Sequence, residues 1–580
     1  MPLETLNECL RSGVSRFLKD DAFLGVNAAG EVYAVSSRDF YHRARLATLG
    51  LNAMEIQKGD RVALISENRF EWALVDLAVL NAGAVTVPLY TNASREQTQY
   101  ILKDSGAKAA AVSKGPLLEK ILEAGANLPD LKHIVTFERT GREDGQTILH
   151  LSDLEAKGAP VWEQNQDLHR QLLEAPKAED LATIVYTSGT TGEPKGVMLT
   201  QGNLASNVLA CADRVEFRSS DRALSFLPLS HIFERLLDYL YFFSGVSIVH
   251  VPDPFQLREC VKKTRPTIFT AVPRFYEKLH DEILDRASSN FLKRALARWS
   301  FKTGQRYAEA VLGGAAPPAG LALRYRLADA ITFSRIRRAF GPVRLMISGG
   351  APLSPELGKF FYAAGMCLTE GYGLTETSPV ISQSPLEHPK YGTVGTPLRG
   401  VEVRIAEDGE LLVKGPNVMP GYWNKEEATK RALTEDGWLR TGDLAALDGD
   451  GYLSITGRKK DIIVTAAGKN VAPQAIEALL KRSPYIEQAV AVGDKRKFIV
   501  ALIVPSAQAL EGKSASEAHQ AIERDAARHM AGLSDYERVR RFAFLEKPLS
   551  VEDGTLTPTF KVRRHAVEEK YKDVIERLYK

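Results

Sequence analysis

The stretch that most constrains this chain is a polar run between two short apolar segments. It reads Tyr186-Thr187-Ser188-Gly189-Thr190-Thr191-Gly192-Glu193-Pro194-Lys195-Gly196-Val197, and its flanks, 182–186 and 196–200, are typical of buried strands. Its glycines let main-chain N–H groups converge on an anion, its hydroxyls donate hydrogen bonds, and Lys195 adds a positive charge. A plain hairpin turn needs only two or three such residues, so their density favours a polyphosphate site. The run is not a Walker A loop, because Pro194 replaces the glycine before its lysine.

This run, residues 187–195, is called the phosphate loop below. It resembles the phosphate-binding signature of the adenylate-forming superfamily, which includes acyl-CoA synthetases, adenylation domains of peptide synthetases, and firefly luciferase. The resemblance implies that the chain binds ATP and activates a carboxylic acid by adenylation. The residues that it assigns to the ATP phosphates are Thr187, Ser188, Gly189, Thr190, Thr191, Gly192 and Lys195.

Length and composition exclude several other classes of protein. At 580 residues the chain is too long for one hydrophobic core and suggests about four domain-sized units. A net charge of +3 gives no overall electrostatic field that would favour binding of nucleic acid. The four cysteines are scattered and form no CxxC pair, which argues against a zinc site and against a disulfide framework. No signal-peptide pattern or membrane span is visible, so we predict a cytoplasmic enzyme, with monomer and homodimer both left open.

Alternating strand and helix patterns dominate the first half of the chain. A strand over residues 61–65, a helix over 70–81 and a strand over 84–88 form a βαβ unit, which requires a parallel sheet. From residue 401 the pattern changes to short strands and tight turns, beginning with a predicted hairpin whose turn is Asp408-Gly409. The first half is therefore predicted to be α/β, with strands covered on both faces.

A polar, charged junction, Gly457-Arg458-Lys459-Lys460-Asp461, has the composition of a linker, and the segment after it has its own strands and helices. We predict an α/β fold with a large N-terminal domain, residues 1–459, of parallel α/β sheets plus a small β-barrel-like subdomain. This domain is predicted to be hinged to a small α+β C-terminal domain, residues 460–580.

Residues 289–340 are predicted to be helical around a Gly/Pro-rich break at 313–318, and they are strongly basic. They carry ten Lys or Arg residues against two acidic ones. Two interpretations stay open. The commoner one is a solvated helical face, and the other is peripheral contact with an anionic membrane surface.

Further stretches resemble the nucleotide-binding motifs of the superfamily. In residues 369–377 the family motif stacks an aromatic ring on adenine, contacts the α-phosphate through Thr and holds Mg²⁺ through Glu. Tyr372 offers the π-face and Glu376 the hard oxygen that Mg²⁺ takes, although a buried tyrosine beside a helix-capping glutamate would have the same pattern. Asp443 and Arg458 resemble the pair that reaches the ribose. The implied adenine- and ribose-binding residues are Gly349, Gly350, Ala351, Glu370, Gly371, Tyr372, Gly373, Asp443 and Arg458.

The C-terminal part carries residues that the resemblance assigns to catalysis and movement. Lys561 resembles the family's catalytic lysine, and a compact cation between the carboxylate and the α-phosphate would stabilise the crowded transition state. Lys460 stands at the hinge position, which most members fill with Asp and long-chain acyl-CoA synthetases with Lys. Gly468 is expected to leave room for the pantetheine of CoA. The implied catalytic residues are Lys561, Thr375, Glu376 and His231, with Glu376 also the metal ligand.

The segment Leu227-Pro228-Leu229-Ser230-His231-Ile232-Phe233-Glu234-Arg235 separates the branches of the superfamily and resembles the long-chain acyl-CoA synthetase version. Amino-acid-activating relatives place an Asp here for the substrate ammonium, whereas His231 and Phe233 suit an acyl tail. Val464 is a departure, because many long-chain synthetases carry Lys at that position. Any contact that this lysine makes to the acyl-adenylate would be missing or supplied elsewhere.

The resemblance implies a reaction with fatty acid, ATP and CoA as substrates and Mg²⁺ as cofactor. The fatty carboxylate would form an acyl-adenylate and pyrophosphate, the small domain would rotate at Lys460, and CoA would then take the acyl group. The alternatives are a fatty acyl-AMP ligase that loads a carrier protein, a peptide-synthetase-type module, and a non-catalytic nucleotide-binding homologue. The lack of a following carrier domain disfavours the module, and the presence of Glu376 and Lys561 disfavours the non-catalytic homologue.

Overall fold

The computed structural model describes residues 3–27, 30–187, 193–287, 291–507, 509–550, 553–557 and 562–580. Within them the chain forms two large mixed sheets, a four-stranded antiparallel sheet and a C-terminal α+β unit. The α/β fold predicted from the sequence is confirmed. No helix in these ranges combines the length and the apolar character needed to cross a bilayer.

The first large sheet has nine strands. They are β1 (Phe23–Val26), β2 (Val32–Val35), β10 (Arg222–Ser225), β11 (Ser247–His250), β12 (Ile268–Ala271), β13 (Leu345–Ser348), β14 (Cys367–Gly373), β15 (Val380–Gln383) and β16 (Thr396–Pro397). Their spatial order is β16-β15-β14-β13-β12-β10-β11-β1-β2. The strands from β14 to β1 are parallel, and both edges are completed by antiparallel pairs.

The second large sheet has eight strands. They are β3 (Arg61–Ile65), β4 (Val85–Leu89), β5 (Ala107–Val112), β6 (His133–Thr136), β7 (Ile148–His150), β8 (Leu181–Thr187), β9 (Lys195–Thr200) and β19 (Gly421–Tyr422). Their order is β19-β9-β8-β4-β3-β5-β6-β7, and β3 and β4 are parallel neighbours, which confirms the predicted βαβ unit. β8, β9 and β19 pair antiparallel at one edge, so this edge carries the phosphate loop.

Helices surround and separate these sheets. They are α1 (Leu6–Arg16), α2 (Ser37–Ala53), α3 (Phe70–Asn81), α4 (Arg95–Ser105), α5 (Gly115–Gly125), α6 (Leu151–Gln164), α7 (Gln166–Glu174), α8 (Gln201–Arg214), α9 (Ile232–Phe243), α10 (Leu257–Thr264), α11 (Pro273–Ala287), α12 (Phe291–Leu312), α13 (Ala319–Ala328), α14 (Ser334–Phe340), α15 (Pro355–Ala363) and α16 (Glu426–Ala432). The largest core cluster combines residues of α1, α2, α3, α8 and α9 with residues of both sheets, so these helices form the layer between the sheets. α3 is apolar on nearly every side because it is buried in that layer.

The basic segment is helical, as predicted. α12 ends at Leu312 and α13 begins at Ala319, on either side of the Gly/Pro-rich break, and a π-helical turn, Asp329–Phe333, leads into α14. Two further short turns are 3₁₀ helices, Pro254–Gln256 and Thr375–Thr377.

The four-stranded antiparallel sheet consists of β17 (Glu402–Ile405), β18 (Glu410–Lys414), β20 (Leu439–Leu447) and β21 (Leu453–Arg458), paired in that order. β17 and β18 form the predicted hairpin. The predicted linker is shorter than the sequence suggested, because Gly457 and Arg458 pair with β20 and only the 3₁₀ turn Lys459–Asp461 joins the two units.

The C-terminal unit has its own hydrophobic clusters. Its elements are β22 (Ile463–Val464), β23 (Asn470–Val471), α17 (Pro473–Leu480), β24 (Ile486–Val492), β25 (Ile499–Pro505), α18 (Ala515–His529), β26 (Val539–Phe544), α19 (Arg564–Lys570) and α20 (Lys572–Tyr579). β25 pairs antiparallel with β24 and parallel with β26.

Candidate active site

The two ends of the phosphate loop are held together by the hairpin of its flanking strands. β8 and β9 pair antiparallel, with Thr187 opposite Lys195 at the end of the ladder. The Tyr186 hydroxyl donates to Asp104 Oδ2 at 2.6 Å, which fixes β8 just before the loop. Thr187 and Lys195 are therefore the predicted phosphate ligands whose positions the structure gives. The others lie outside the described residues: Ser188, Gly189, Thr190, Thr191 and Gly192.

Three residues predicted to bind adenine and ribose meet at the junction of β14 with the four-stranded sheet. Tyr372 on β14 donates its hydroxyl to Asp443 Oδ2 at 2.6 Å, and Arg458 Nε donates to Asp443 Oδ1 at 2.7 Å. Asp443 and Arg458 are also cross-strand partners on β20 and β21. Burial, and then the neighbouring Asp443 carboxylate, raise the pKa of Tyr372 well above its usual value. The structure thus brings together residues that lie up to 86 positions apart in the sequence.

Glu376, the predicted metal ligand, lies in the 3₁₀ turn that follows β14 and begins at Thr375. Its Oε1 accepts a hydrogen bond from the Tyr422 hydroxyl at 2.9 Å. Lys195 Nζ lies 4.9 Å from the centroid of the same Tyr422 ring. Burial, followed by the charge of Glu376, raises the pKa of Tyr422 above its usual range, so its hydroxyl is a neutral donor. One aromatic side chain therefore contacts both a carboxylate and an ammonium of the predicted ATP site.

The Gly-rich turn after β13 is closely packed against α9. A Cβ atom on Gly349 would lie 2.7 Å from Cζ of Phe233, so any larger residue would require the Phe233 ring to shift. Glu370 on β14 is buried, and its Oε1 accepts from the backbone N–H of Leu353 at 3.0 Å, which ties β14 to the segment after the turn. Burial raises the pKa of Glu370 to about 8. The remaining predicted adenine-site residues follow β13 or lie on β14: Gly350, Ala351, Gly371 and Gly373.

Comparison with known proteins places this geometry in a family. Residues 13–423 match the family model described as AMP-binding enzyme, and residues 460–580 match the AMP-binding enzyme C-terminal domain. The chain belongs to the AMP-binding enzyme family. It is 38% identical to the long-chain-fatty-acid–CoA ligase FadD15 of Mycobacterium tuberculosis, over 94% of this chain and 92% of that protein. It is 31% identical to the Bos taurus long-chain-fatty-acid–CoA ligase ACSBG1, over 97% and 83% of the two chains.

A solved structure agrees with this assignment. The adenylation domain of a carboxylate reductase from Mycobacterium chelonae superimposes with a TM-score of 0.77 at 26% identity, over 100% of this chain and 92% of that one. The fold of this AMP-binding enzyme is therefore that of known adenylate-forming proteins, and its two large sheets carry the candidate site at their edges.

His231, predicted among the catalytic residues, caps a helix in this AMP-binding enzyme. Its Nδ1 accepts from the backbone N–H of Phe233 at 3.2 Å, which satisfies one of the free donors at the N-terminus of α9. Every residue of α9 except Phe233 is buried, so its leucines and its other aromatic side chains belong to the core between the sheets. Within α9, Glu234 is almost fully buried, and desolvation followed by the charge of Asp238 raises its pKa well above its usual value. A direct role of His231 in chemistry stays a prediction.

The predicted hinge residue, Lys460, is the middle residue of the 3₁₀ turn after β21. Burial and the nearby Arg458 charge lower its pKa. Beyond the hinge, Gly468 has a φ of +72°, and a Cβ added there would have no atom within 4 Å, so open space surrounds this position. Val464, the departure from the long-chain pattern, is 43% exposed on β22.

Lys561, the predicted catalytic lysine, lies outside the described residues. On either side of it, Leu556 and Val562 form an antiparallel bridge. Arg564, three residues further on, pairs with Glu477 at 2.7 Å and lies 3.9 Å from Asp461 in the hinge turn. The segment that follows Lys561 is therefore connected to the hinge through charged side chains.

Sequence reasoning missed Tyr422. Its Gly421-Tyr422-Trp423 run contains no recognisable ligand pattern, and its place at the site depends on the pairing of β19 with β9. The available signal was the aromatic pair immediately after a glycine. This pair indicates a short buried strand, but it does not indicate which strand pairs with it. In the described ranges no three His, Cys, Asp or Glu side chains cluster as a metal centre would require.

Proposed function

We propose that this protein is a long-chain-fatty-acid–CoA ligase, which converts a fatty acid, ATP and CoA into fatty acyl-CoA, AMP and pyrophosphate. The observation that carries the proposal is the convergence of two clusters beside β14. Tyr372, Asp443 and Arg458 form one, and Lys195 and Glu376 meet on Tyr422 in the other. The similarity to long-chain-fatty-acid–CoA ligases over more than 90% of the chain supports the choice of substrate class.

The first cluster suits a nucleoside. Asp443 Oδ2 can accept from a ribose hydroxyl in place of the Tyr372 hydroxyl, while Arg458 keeps its charge-assisted bond to Oδ1 and so holds the orientation of the carboxylate. The ring of Tyr372 offers a face for the adenine. The turn Gly349-Gly350-Ala351 lies at the carboxyl end of β13, where parallel sheets commonly bind ligands.

The second cluster suits a metal-bound triphosphate. Mg²⁺ in nucleotide sites is usually held by one or two protein carboxylates together with substrate phosphates, and Glu376 is such a carboxylate. Glu376 is partly exposed, and its partner Tyr422 also contacts Lys195, which fits a carboxylate that meets an ion bound to the phosphates of ATP. When bound, the ion would neutralise charge on the phosphates. Thr187 and Lys195 would hold the phosphates from the two ends of the loop.

The chain needs no covalent nucleophile, because the fatty carboxylate is already ionised. That carboxylate attacks the α-phosphorus, the bond to the β-phosphate oxygen breaks, and acyl-adenylate and pyrophosphate form. Lys561 and Thr375 would stabilise the charge that develops on the α-phosphate. The acyl carbon then accepts the CoA thiolate, the bond to AMP breaks, and the thioester is released.

The first half-reaction takes place at the α-phosphorus and the second at the acyl carbon, so the two require different groups around the reacting atom. We propose that residues 460–580 form a mobile domain that rotates at Lys460. Rotation would withdraw Lys561 after adenylation. It would bring the turn that carries Gly468 to the active site, where the open space around this glycine would accommodate pantetheine.

The acyl group is proposed to lie beside the contact between α9 and the turn after β13, where Phe233 packs directly on Gly349 and the two would form one wall of its binding site. His231, at the N-terminus of α9, would then line the entrance beside the reacting carboxylate. Val272, at the carboxyl end of the neighbouring β12, is 37% exposed and would extend this apolar surface outward.

We further propose that residues 291–340 contact an anionic membrane surface, from which a water-insoluble substrate could be taken. This segment has a net charge of +8 in a chain of net +3, so the rest of the chain is net −5. Its exposed apolar side chains are interleaved with these charges, as in helices that lie on membranes. They are Leu296, Trp299, Leu323 and Leu327.

The experiment that tests the function measures AMP formation with ATP, Mg²⁺ and fatty acids from short to very long chains, each with and without CoA. Turnover that requires CoA and is greatest for long chains is expected. Pyrophosphate exchange without CoA-stimulated turnover would instead identify a fatty acyl-AMP ligase. No exchange with any acid would refute the proposal.

A further inference from the structure

Tyr422 is fixed in place by the strand that completes the phosphate-loop hairpin. β19 is only two residues long, and it pairs antiparallel with β9 so that Tyr422 lies opposite Val197, two residues after Lys195. The backbone N–H of Trp423 donates to the Gly196 carbonyl at 2.7 Å. Any movement of this segment would therefore also displace the exit strand of the phosphate loop.

The residue after Tyr422 anchors the same segment from the other side. Trp423 Nε1 donates to the backbone carbonyl of Asp104 at 2.9 Å, and the Asp104 carboxylate accepts from Tyr186 at 2.6 Å. Tyr186 lies at the entrance to the phosphate loop, next to Thr187. Asp104 thus joins the entrance strand to the Tyr422 segment, which is itself paired with the exit strand.

The Tyr422 side chain uses two different parts to contact two groups of opposite charge. Its hydroxyl donates to Glu376 Oε1 at 2.9 Å, and its ring lies under the Lys195 ammonium, with 4.9 Å between Nζ and the ring centroid. A phenylalanine would fill the same space, so packing alone does not explain the hydroxyl. The hydrogen bond restricts the orientation of the carboxylate, and the cation–π contact restricts that of the long lysine side chain.

We propose that Tyr422 is a positioning residue that presents Glu376 to the metal ion and Lys195 to the phosphates of ATP. The inference rests on the proposed function, in which Glu376 and Lys195 are the ligands of the metal-bound triphosphate. Tyr422 itself acts through these two side chains. The hydroxyl and the ring should therefore have separable effects, the first on metal-dependent binding and the second on binding of the phosphates.

Isothermal titration calorimetry with the non-cleavable analogue α,β-methylene-ATP tests this separation. The titration is carried out with excess Mg²⁺ and again with EDTA, for wild type, Tyr422→Phe and Tyr422→Leu. Tyr422→Phe should weaken binding about 10-fold with Mg²⁺ and leave it unchanged with EDTA, because only a charge-assisted hydrogen bond is lost. In Tyr422→Leu the cation–π contact is lost as well. Its binding should be weaker than that of Tyr422→Phe by roughly 3-fold, both with Mg²⁺ and with EDTA.

Tyr452 provides a matched control. Its hydroxyl donates to the His388 backbone carbonyl at 2.8 Å, and Lys390 Nζ lies 5.2 Å from its ring centroid. It therefore also combines a hydroxyl hydrogen bond with a cation–π contact, and neither partner is a proposed ATP ligand. Tyr452→Phe should bind the analogue as wild type does. Because the readout is a ratio of two affinities in one preparation, partial unfolding of a variant alters the apparent stoichiometry and not this ratio.

Two results would overturn the inference: Tyr422→Phe binding like wild type with Mg²⁺, or losing affinity equally with Mg²⁺ and with EDTA. The second would make Tyr422 a structural residue. If the affinity of the wild-type protein does not increase with Mg²⁺, the proposed metal-bound ATP site is refuted. The role of Tyr422 is then refuted as well, because it depends on that site. Normal Mg²⁺-dependent binding by wild type keeps the two failures distinguishable.

Discussion

The buried ion pair between Asp76 and Arg235 links the layer between the sheets to the phosphate loop. Asp76 on α3 is 1% exposed and Arg235 on α9 is 0% exposed. Arg235 Nε donates to Asp76 Oδ2 at 3.0 Å, and its Nη1 donates to the Thr183 hydroxyl on β8 at 2.7 Å. Asp76 also accepts from the hydroxyls of Thr86, at 2.7 Å, and Tyr239, at 2.5 Å. We expect the loss of one partner to destabilise the large domain strongly.

Removing one member of a buried ion pair typically costs about 3–5 kcal/mol, because the other charge is left without compensation. In Arg235→Met, Asp76 keeps the Thr86 and Tyr239 hydroxyls, so we expect a loss of about 3 kcal/mol. In Asp76→Leu, the guanidinium keeps the Thr183 and Tyr239 hydroxyls, but several of its five N–H donors lose their partner, so we expect about 5 kcal/mol. The double variant carries neither of these two buried charges and should be more stable than either single variant.

Urea denaturation of the four proteins, analysed as a double-mutant cycle, measures this coupling. Trp72 is a local reporter, because its ring centroid lies 5.5 Å from the Arg235 guanidinium carbon and it is 1% exposed. The chain has five tryptophans, so comparison with a Trp72→Phe background isolates the fluorescence change that follows unfolding of the layer between the sheets. If the destabilisation in the double variant equals the sum of the two single effects, the two charges are uncoupled and the reasoning is wrong.

Three further predictions concern the hinge, pH and the membrane. Lys460→Pro should abolish one half-reaction and spare the other. Adenylation is measured by pyrophosphate exchange, and the second half-reaction by thioester formation from preformed acyl-adenylate. Equal loss of both would contradict rotation at this residue. Burial raises the pKa of Glu370 from about 4.5 to about 8, so the free energy of unfolding should fall by about 1.4 kcal/mol per pH unit across that window. In denaturation at pH 5.5 and 7.5, Glu370→Gln should lose this dependence of the free energy of unfolding on pH, whereas the exposed control Glu435→Gln should keep it. The same pH dependence in Glu370→Gln and wild type would count against the buried neutral carboxyl. The double variant Arg324→Glu/Arg326→Glu should bind phosphatidylglycerol vesicles at least ~10-fold more weakly than the control Lys481→Glu/Lys513→Glu. The reason is that each cation near the membrane surface contributes about 1 kcal/mol to binding. Equal binding by the two double variants would exclude residues 291–340 as the membrane contact.

The local pattern of the sequence was sufficient for most of the elements around the site. The helix predicted over residues 70–81 is observed as Phe70–Asn81, and the strand over 61–65 as Arg61–Ile65. The Gly/Pro-rich break in the basic segment and the hairpin at Asp408-Gly409 are also present. These features depend on residues that are neighbours in the chain, where propensity, periodicity and turn chemistry act directly. β26, in contrast, was not predicted, because Val539-Arg540-Arg541-Phe542-Ala543-Phe544 has no regular alternation of apolar and polar residues.

The ordered motifs, through their resemblance to the adenylate-forming superfamily, were enough to predict that this chain binds a nucleotide, since ligand chemistry is carried by short runs of glycine, hydroxyl and charged residues. Only the tertiary structure decided which of these residues meet. Tyr422 contacts Glu376 because a two-residue strand pairs with β9, and Asp76 neutralises Arg235 because α3 and α9 are buried in one layer. Such pairings follow from long-range strand register and from the cost of burying an unpaired charge, and neither leaves a periodic signal in the sequence.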